Sequence, residues 1–207
     1  MKQNRFYTSL VRVFGPAVKG LFQVRYENVD NIPKAGRLIV CCNHLSVFDP
    51  ILLALPFRRQ IRYMAKSELF TEHGMLFRNL LYQLGAFPVR RNTGDASSIK
   101  TAKRILQDEG IVGIFPQGGC FPGGKITRLK AGAAMIAAQT QTPILPAAIL
   151  CRNKPCPLHK TVIRFGKLIS TEQFPLKKDC SKDCSYDIRQ LTNLLRENMN
   201  ELLEVSL

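Results

Sequence analysis

Residues 38–50, Leu-Ile-Val-Cys-Cys-Asn-His-Leu-Ser-Val-Phe-Asp-Pro, constrain this chain more than any other stretch. Leu38–Cys42 is a short apolar run with β-branched residues, which reads as a buried strand. It stops abruptly at Asn43-His44, and Asp49-Pro50 follows. Aspartate before proline predicts a helix start, with Asp49 as the N-cap and Pro50 at the first helical position. His44 then leaves the C-terminal end of a strand and Asp49 sits where a helix begins. Such ends are where open α/β sheets keep their sites. A histidine with a nearby carboxylate makes a general base near neutral pH. Taken alone, the same pair also fits a loop histidine and a plain helix cap.

Around this stretch, strands and helices alternate. Phe22–Tyr26, Ile61–Ala65, Ile111–Phe115, Ile144–Leu150 and Thr161–Ile169 read as strands, the fourth interrupted by Pro146. Residues 85–91, Gly-Ala-Phe-Pro-Val-Arg-Arg, form a short extended piece closing on two arginines. Helices are expected over Pro50–Leu55, Gly74–Leu84, Asp95–Glu109, Lys130–Thr140 and Asp183–Val205. Gly74–Leu84 gathers Met75, Leu76, Leu80, Leu81 and Leu84 on one face and ends at Gly85, a natural C-cap. With no repeat and no dividing linker, the alternation predicts a single α/β domain, a central mixed sheet flanked by helices. The length of 207 residues suits one such core.

Residues 4–20 form a basic amphipathic helix that precedes this domain. Phe6, Leu10, Val13, Phe14, Ala17 and Val18 follow helical spacing, and Arg5, Arg12 and Lys19 recur on another face. Pro16 is expected to kink or shorten it. An apolar face edged with Arg and Lys suits an interfacial membrane helix; it equally suits a terminal helix packed on the domain. No spanning helix is expected: the longest charge-free stretch, Ala131–Cys151, is divided by Gln139, Thr140, Gln141, Thr142, Pro143 and Pro146.

Thirty Lys and Arg against fifteen Asp and Glu give a net charge of +15. That excess implies an anionic partner: nucleic acid, an anionic membrane, or phosphate-bearing substrates. No nucleic-acid module is present in the pattern, which excludes a nucleic-acid partner from the expectation. Arg58, Arg59, Arg62 and Lys66 form one basic cluster. Lys125, Arg128 and Lys130 form another, after a loop with four glycines, residues 116–125, where backbone can approach a ligand closely. The seven cysteines, Cys180 and Cys184 among them, lack the paired spacing of a zinc site, so no metal is expected. With no secretory signal, they read as reduced thiols of a cytoplasmic protein.

Four pieces occur in one order: Asn43-His44-Leu45-Ser46-Val47-Phe48-Asp49-Pro50; Gly85-Ala86-Phe87-Pro88-Val89-Arg90-Arg91; Phe115-Pro116-Gln117-Gly118; and Ile144-Leu145-Pro146-Ala147. This set resembles the glycerolipid acyltransferases, in particular the bacterial 1-acyl-glycerol-3-phosphate acyltransferases, over roughly residues 25–170. The resemblance implies acyl transfer from acyl-CoA or acyl carrier protein to a lysophospholipid hydroxyl, giving phosphatidic acid, with no bound cofactor. It implies that His44 is the catalytic base, that Asp49 orients its imidazole, and that Arg91 holds the acceptor phosphate. A thioester is already activated, so no covalent intermediate is required, and nothing marks Ser46 or Cys42 as a nucleophile. The third piece departs from the family's Phe-Pro-Glu-Gly-Thr-Arg, with Gln117, Gly119 and Cys120 replacing Glu, Thr and Arg. Gln117 and Gly118 remain candidate substrate-binding residues, and Lys125, Arg128 or Lys130 would supply the missing cation. The departure also leaves room for a different acceptor, or for a lipid-binding protein without turnover. The expected organisation is a membrane-associating segment, residues 1–20, and an acyltransferase domain, residues 21–207. The expected place is the cytoplasmic face of an anionic membrane, held peripherally.

Overall fold

The computed structural model describes residues 5–90, 95–121, 123–152, 155–174 and 183–204. Arg91, Cys180 and Val205 lie outside the described residues. The strands are β1 (Val24–Glu27), β2 (Leu38–Cys42), β3 (Ile61–Lys66), β4 (Phe87–Val89), β5 (Ile111–Ile114), β6 (Ile144–Cys151) and β7 (Thr161–Phe165). They form one mixed sheet in the order β1-β7-β6-β2-β5-β3-β4. The only antiparallel pairing among the described strands is β6 with β7. The helices are α1 (Arg5–Leu21), α2 (Asp49–Ala54), α3 (Gly74–Gln83), α4 (Ala96–Gln107), α5 (Gly132–Thr140) and α6 (Asp183–Glu204).

β2 is buried at all five residues because β5 and β6 pair with its two sides and helices cover both faces. Ile39 and Cys41 point into a core with α4, α5 and α6, built on Ala102, Leu106, Ala134, Ala137 and Leu191. The small residues of α5 let it lie close to the sheet, as their sequence pattern suggests. Leu38, Val40 and Cys42 point to the other core, with Leu52 and Leu53 of α2, Phe57, Phe22 and Phe165. The chain leaves β2 through α2 for β3 on one side. It leaves β5 through α5 for β6 on the other side. The C-terminal ends of β2 and β5 are therefore neighbours at a topological switch point. β7 and β1 run opposite to β6, so their N-terminal ends come to this same edge.

Several sequence expectations are corrected. Pro16 neither ends nor shortens α1, which runs through it to Leu21. Pro146 does not interrupt β6, which is continuous over Ile144–Cys151 and has Pro146 in register with Cys41. The strand expected over Thr161–Ile169 stops at Phe165. A side chain at Gly166 would strike the Pro146 ring at 2.8 Å, and only Ile169 re-pairs, with Ile144. The apolar face of α1 is divided. Tyr7 is buried, and Gly15 lies against Leu55, whereas Val13 and Phe14 face outward. Arg59 donates to the carbonyls of Gly36 and Glu109 at the edge opposite the switch point, so that part of its cluster ties loops together.

Candidate active site

Backbone hydrogen bonds make the turn after β2 a closed structure. The Asp49 N–H donates to the Ser46 carbonyl (3.1 Å), and the Phe121 N–H donates to the His44 carbonyl (2.7 Å). Asp49 is fully buried. Its Oδ2 accepts from the Leu45 N–H (2.6 Å) and the Ser46 N–H (2.8 Å), and lies 2.8 Å from His44 Nδ1. This overturns the N-cap assignment. Asp49 is itself the first residue of α2, Phe48 occupies the cap position, and no side chain caps that helix. The carboxylate instead turns back to organise the residues between itself and His44. Pro50 still suits the first turn, where its missing N–H costs nothing.

Asn43 precedes His44, and nothing in its residue type announces its role. It is buried, its Oδ1 accepts from the Ile149 N–H (2.7 Å), and its Nδ2 donates to the Ile149 carbonyl (2.9 Å). The pair fastens the turn to β6 where the ladder to β2 ends. Phe115 is a second contributor. Its ring stacks on the His44 imidazole, centroids 4.2 Å apart, and on its other flank lies Tyr63, at 5.9 Å and 11°. Tyr63 fits because residue 113 is glycine; a Cβ there would come within 2.5 Å of the Tyr63 ring.

The loop after β5 brings Gln117 to the same place. Its Oε1 accepts from the His44 N–H at 3.1 Å. Gly118 has φ +81°, which favours glycine, and its N–H donates to the Phe115 carbonyl. The Lys130 side chain passes over Gly118, where an added Cβ would lie 2.6 Å from its Cε and 2.9 Å from its Nζ. The Lys130 N–H donates to the Pro116 carbonyl. Gln117 and Lys125 line one open cavity of about 270 Å³, with Asn43, Leu45, Phe121 and Ile126 among its other walls. Arg128 is exposed and is not part of that wall. Arg91 lies outside the described residues, so only five of the predicted binding residues are placed, and four of those are brought to one loop beside His44 or to the cavity that Gln117 lines.

Cys42 is buried beneath the turn. Burial first, and the neighbouring Asp49 charge second, push its thiol well above the ordinary range. A protonated, buried thiol is a poor nucleophile. Among the described residues no group of three His, Cys, Asp or Glu side chains converges as a metal site would.

Residues 23–150 match the family described as Acyltransferase, more than half of the chain. The chain belongs to the acyltransferase family. The resemblance carried by the four ordered motifs is thereby borne out. A 1-acyl-sn-glycerol-3-phosphate acyltransferase of Bacillus subtilis is 38% identical over 128 residues, 60% of this chain and 61% of that one. A protein of the same description from Borreliella burgdorferi is 27% identical over 179 residues, 84% of this chain and 69% of that one. This acyltransferase-family chain thus spans 61% of the Bacillus relative's length. The crystal structure of a 1-acyl-sn-glycerophosphate acyltransferase from Thermotoga maritima superimposes with a TM-score of 0.70 at 22% identity, covering 97% of this chain and 81% of that one. That likeness establishes a common fold, the single α/β domain expected from the sequence.

Proposed function

We propose that this chain is an O-acyltransferase that moves an acyl group from acyl-CoA or acyl carrier protein to the hydroxyl of a lysophospholipid. The acceptor favoured by its relatives' names is 1-acyl-glycerol-3-phosphate, giving phosphatidic acid. The observation that carries this reading is the His44–Asp49 pair, Nδ1 to Oδ2 at 2.8 Å, at the switch-point edge of the sheet. The carboxylate holds the proton on Nδ1, leaving Nε2 as the base. Nε2 takes the acceptor's hydroxyl proton as its oxygen attacks the thioester carbonyl. The C–O bond forms, the C–S bond breaks, and the imidazolium returns its proton to the departing thiolate. Asp49 stabilises the imidazolium in between. Gln117 positions His44 through the backbone N–H, and Arg91 with Lys125 and Lys130 provides charge for the acceptor phosphate. Arg128 extends that field.

Residues 1–20 serve as the membrane-associating segment and 21–207 as the catalytic domain, working peripherally at the cytoplasmic surface of an anionic membrane. Among the described residues no helix is long and apolar enough to cross a membrane. Val13, Phe14 and Leu21 of α1 are exposed, with Arg12 and Lys19 beside them.

A second reading is favoured by one substitution. Cys120 stands exposed where the family carries arginine, so the acceptor differs in its head group. One experiment decides. Purified protein is incubated with mixed lysolipids and both acyl thioesters, and products are read by mass spectrometry. Phosphatidic acid as the main product supports the first reading and another diacyl lipid the second. Vesicle binding with no product from any pair overturns both in favour of a lipid-binding protein without turnover.

A further inference from the structure

Several exposed apolar side chains gather on one edge of the sheet. Val47, Phe48 and Ile51 follow the end of β2, and Phe121 follows the end of β5. Leu21 precedes β1, and Leu158 precedes β7. Both strands are reversed relative to β6, so these residues reach the same edge. Contacts tie the pieces together: the Leu158 N–H donates to the Leu21 carbonyl at 2.7 Å, and the Phe22 and Phe48 ring centroids are 5.1 Å apart.

α3 adds to this edge from the other side of His44. It joins two parallel strands, so it must descend from the end of β3 to the start of β4. Its lower end is fixed there, since the Tyr63 N–H donates to the Gly85 carbonyl. Its first turn is therefore at the edge that carries His44. That turn is Gly74-Met75-Leu76-Phe77, with Met75 65% and Leu76 86% exposed, and α3 buries no residue at all. Water is a poor partner for such a turn, whereas an interfacial helix places these residues below lipid headgroups.

Charge identifies the occupant. Arg78 on α3, Lys125, Arg128 and Lys130 after β5, Arg152 after β6 and Lys160 before β7 belong to this edge. Its exposed carboxylates are few: Glu68, already paired with Lys66, Glu72, and Glu204 on the wall of the Gln117 cavity. Apolar side chains interspersed with cations match an anionic phospholipid surface.

We propose that the His44 edge docks face-on onto an anionic bilayer, with the first turn of α3 inserting as a foothold separate from α1. The proposal rests on the lipid-acylating reading above and deepens it, because the active site then opens at the depth of a lysolipid headgroup.

The test is co-sedimentation of the full chain with vesicles of phosphatidylglycerol and phosphatidylcholine. The variants are Met75→Glu with Leu76→Glu and, as a control, Leu168→Glu, which alters an exposed leucine beyond the other end of β7. The double variant should partition at least about tenfold less, equivalent to about 1.4 kcal/mol, and the control should match wild type. Circular dichroism should be unchanged in both, and the double variant should keep wild-type turnover on a monomeric short-chain lysophosphatidate. Equal partitioning of double variant and wild type overturns the proposal. So does gel filtration showing a wild-type dimer that the double variant dissolves, which would give the face to a second copy. Vesicle binding that follows the prediction without acyl transfer by wild type leaves the docking surface standing and removes the enzymatic reading.

Discussion

The imidazole of His44 lies nearly parallel to the ring of Phe115, centroids 4.2 Å and planes 20° apart. Together with the Asp49 contact this fixes the imidazole by an edge and a face. Phe115→Leu keeps an apolar residue but removes the flat platform. It should lower kcat about tenfold with little change in KM, since orientation and not binding is lost. Steady-state kinetics on one lysolipid at saturating thioester would check this; an unchanged kcat would show that Asp49 alone suffices.

Asp49 Oδ2 serves three nitrogens at once. Asp49→Asn should reduce acyl transfer about 100- to 10,000-fold, because the amide no longer enforces the Nδ1–H tautomer. Asp49→Ala should in addition cost about 1–3 kcal/mol of stability for each buried N–H left without an acceptor. Urea unfolding of both variants separates the roles. An Ala variant as stable as wild type would mean the turn is held by its other contacts.

Gln117 accepts from the His44 N–H through one oxygen, a task a carboxylate performs equally well. Gln117→Glu, which restores the family residue, should therefore retain activity within about threefold. Gln117→Leu should lose at least about tenfold in kcat, with the fold kept. If both variants behave alike, the hydrogen bond to the turn is not what residue 117 contributes.

Burial holds the thiols of Cys41 and Cys42 protonated, and Asp49 adds to the effect at Cys42. Both should resist iodoacetamide in the folded protein at pH 8, while exposed Cys120 reacts. The linkage sign follows from the raised folded-state values. Above about pH 8.5 the unfolded chain releases thiol protons that the folded chain keeps, so stability is full below that pH and declines as pH rises. Tyr7, pushed up to about 12 by burial, adds a further loss that begins near pH 10. Urea midpoints from pH 7 to 10.5 should fall monotonically; mass mapping of alkylated peptides checks the first part.

How much of this was legible in residue order depends on range. Leu38–Cys42 and Ile111–Ile114 read as strands because an unbroken apolar run of that length has few other homes. His44 and Asp49 are five apart in sequence and read as a pair. What Asp49 does there is not legible locally, because a cap and a back-turned carboxylate share one local pattern and differ only in which N–H groups they meet. Pro146 reads as a break because the loss of its N–H is local, whereas the register with Cys41 and the bond from the Gly166 N–H to its carbonyl come from distant segments. Asn43 clamping Ile149, and Tyr63 backing Phe115 over Gly113, join residues separated by 50 positions or more in the chain. No periodicity announces such pairs.

α3 has one last consequence. A crossover helix with no buried residue contributes little to the cooperative core, yet the edge strand β4 can be reached only through it. In water its amides should exchange with solvent at the rate of local opening, orders of magnitude faster than those of β2, and β4 should share that fast exchange. Deuterium-labelling mass spectrometry would read the contrast directly, and equal protection of residues 74–83 and 38–42 would contradict it. If that contrast holds and the His44 edge docks as proposed, the segment that opens most readily in water is the one that a bilayer would hold in place.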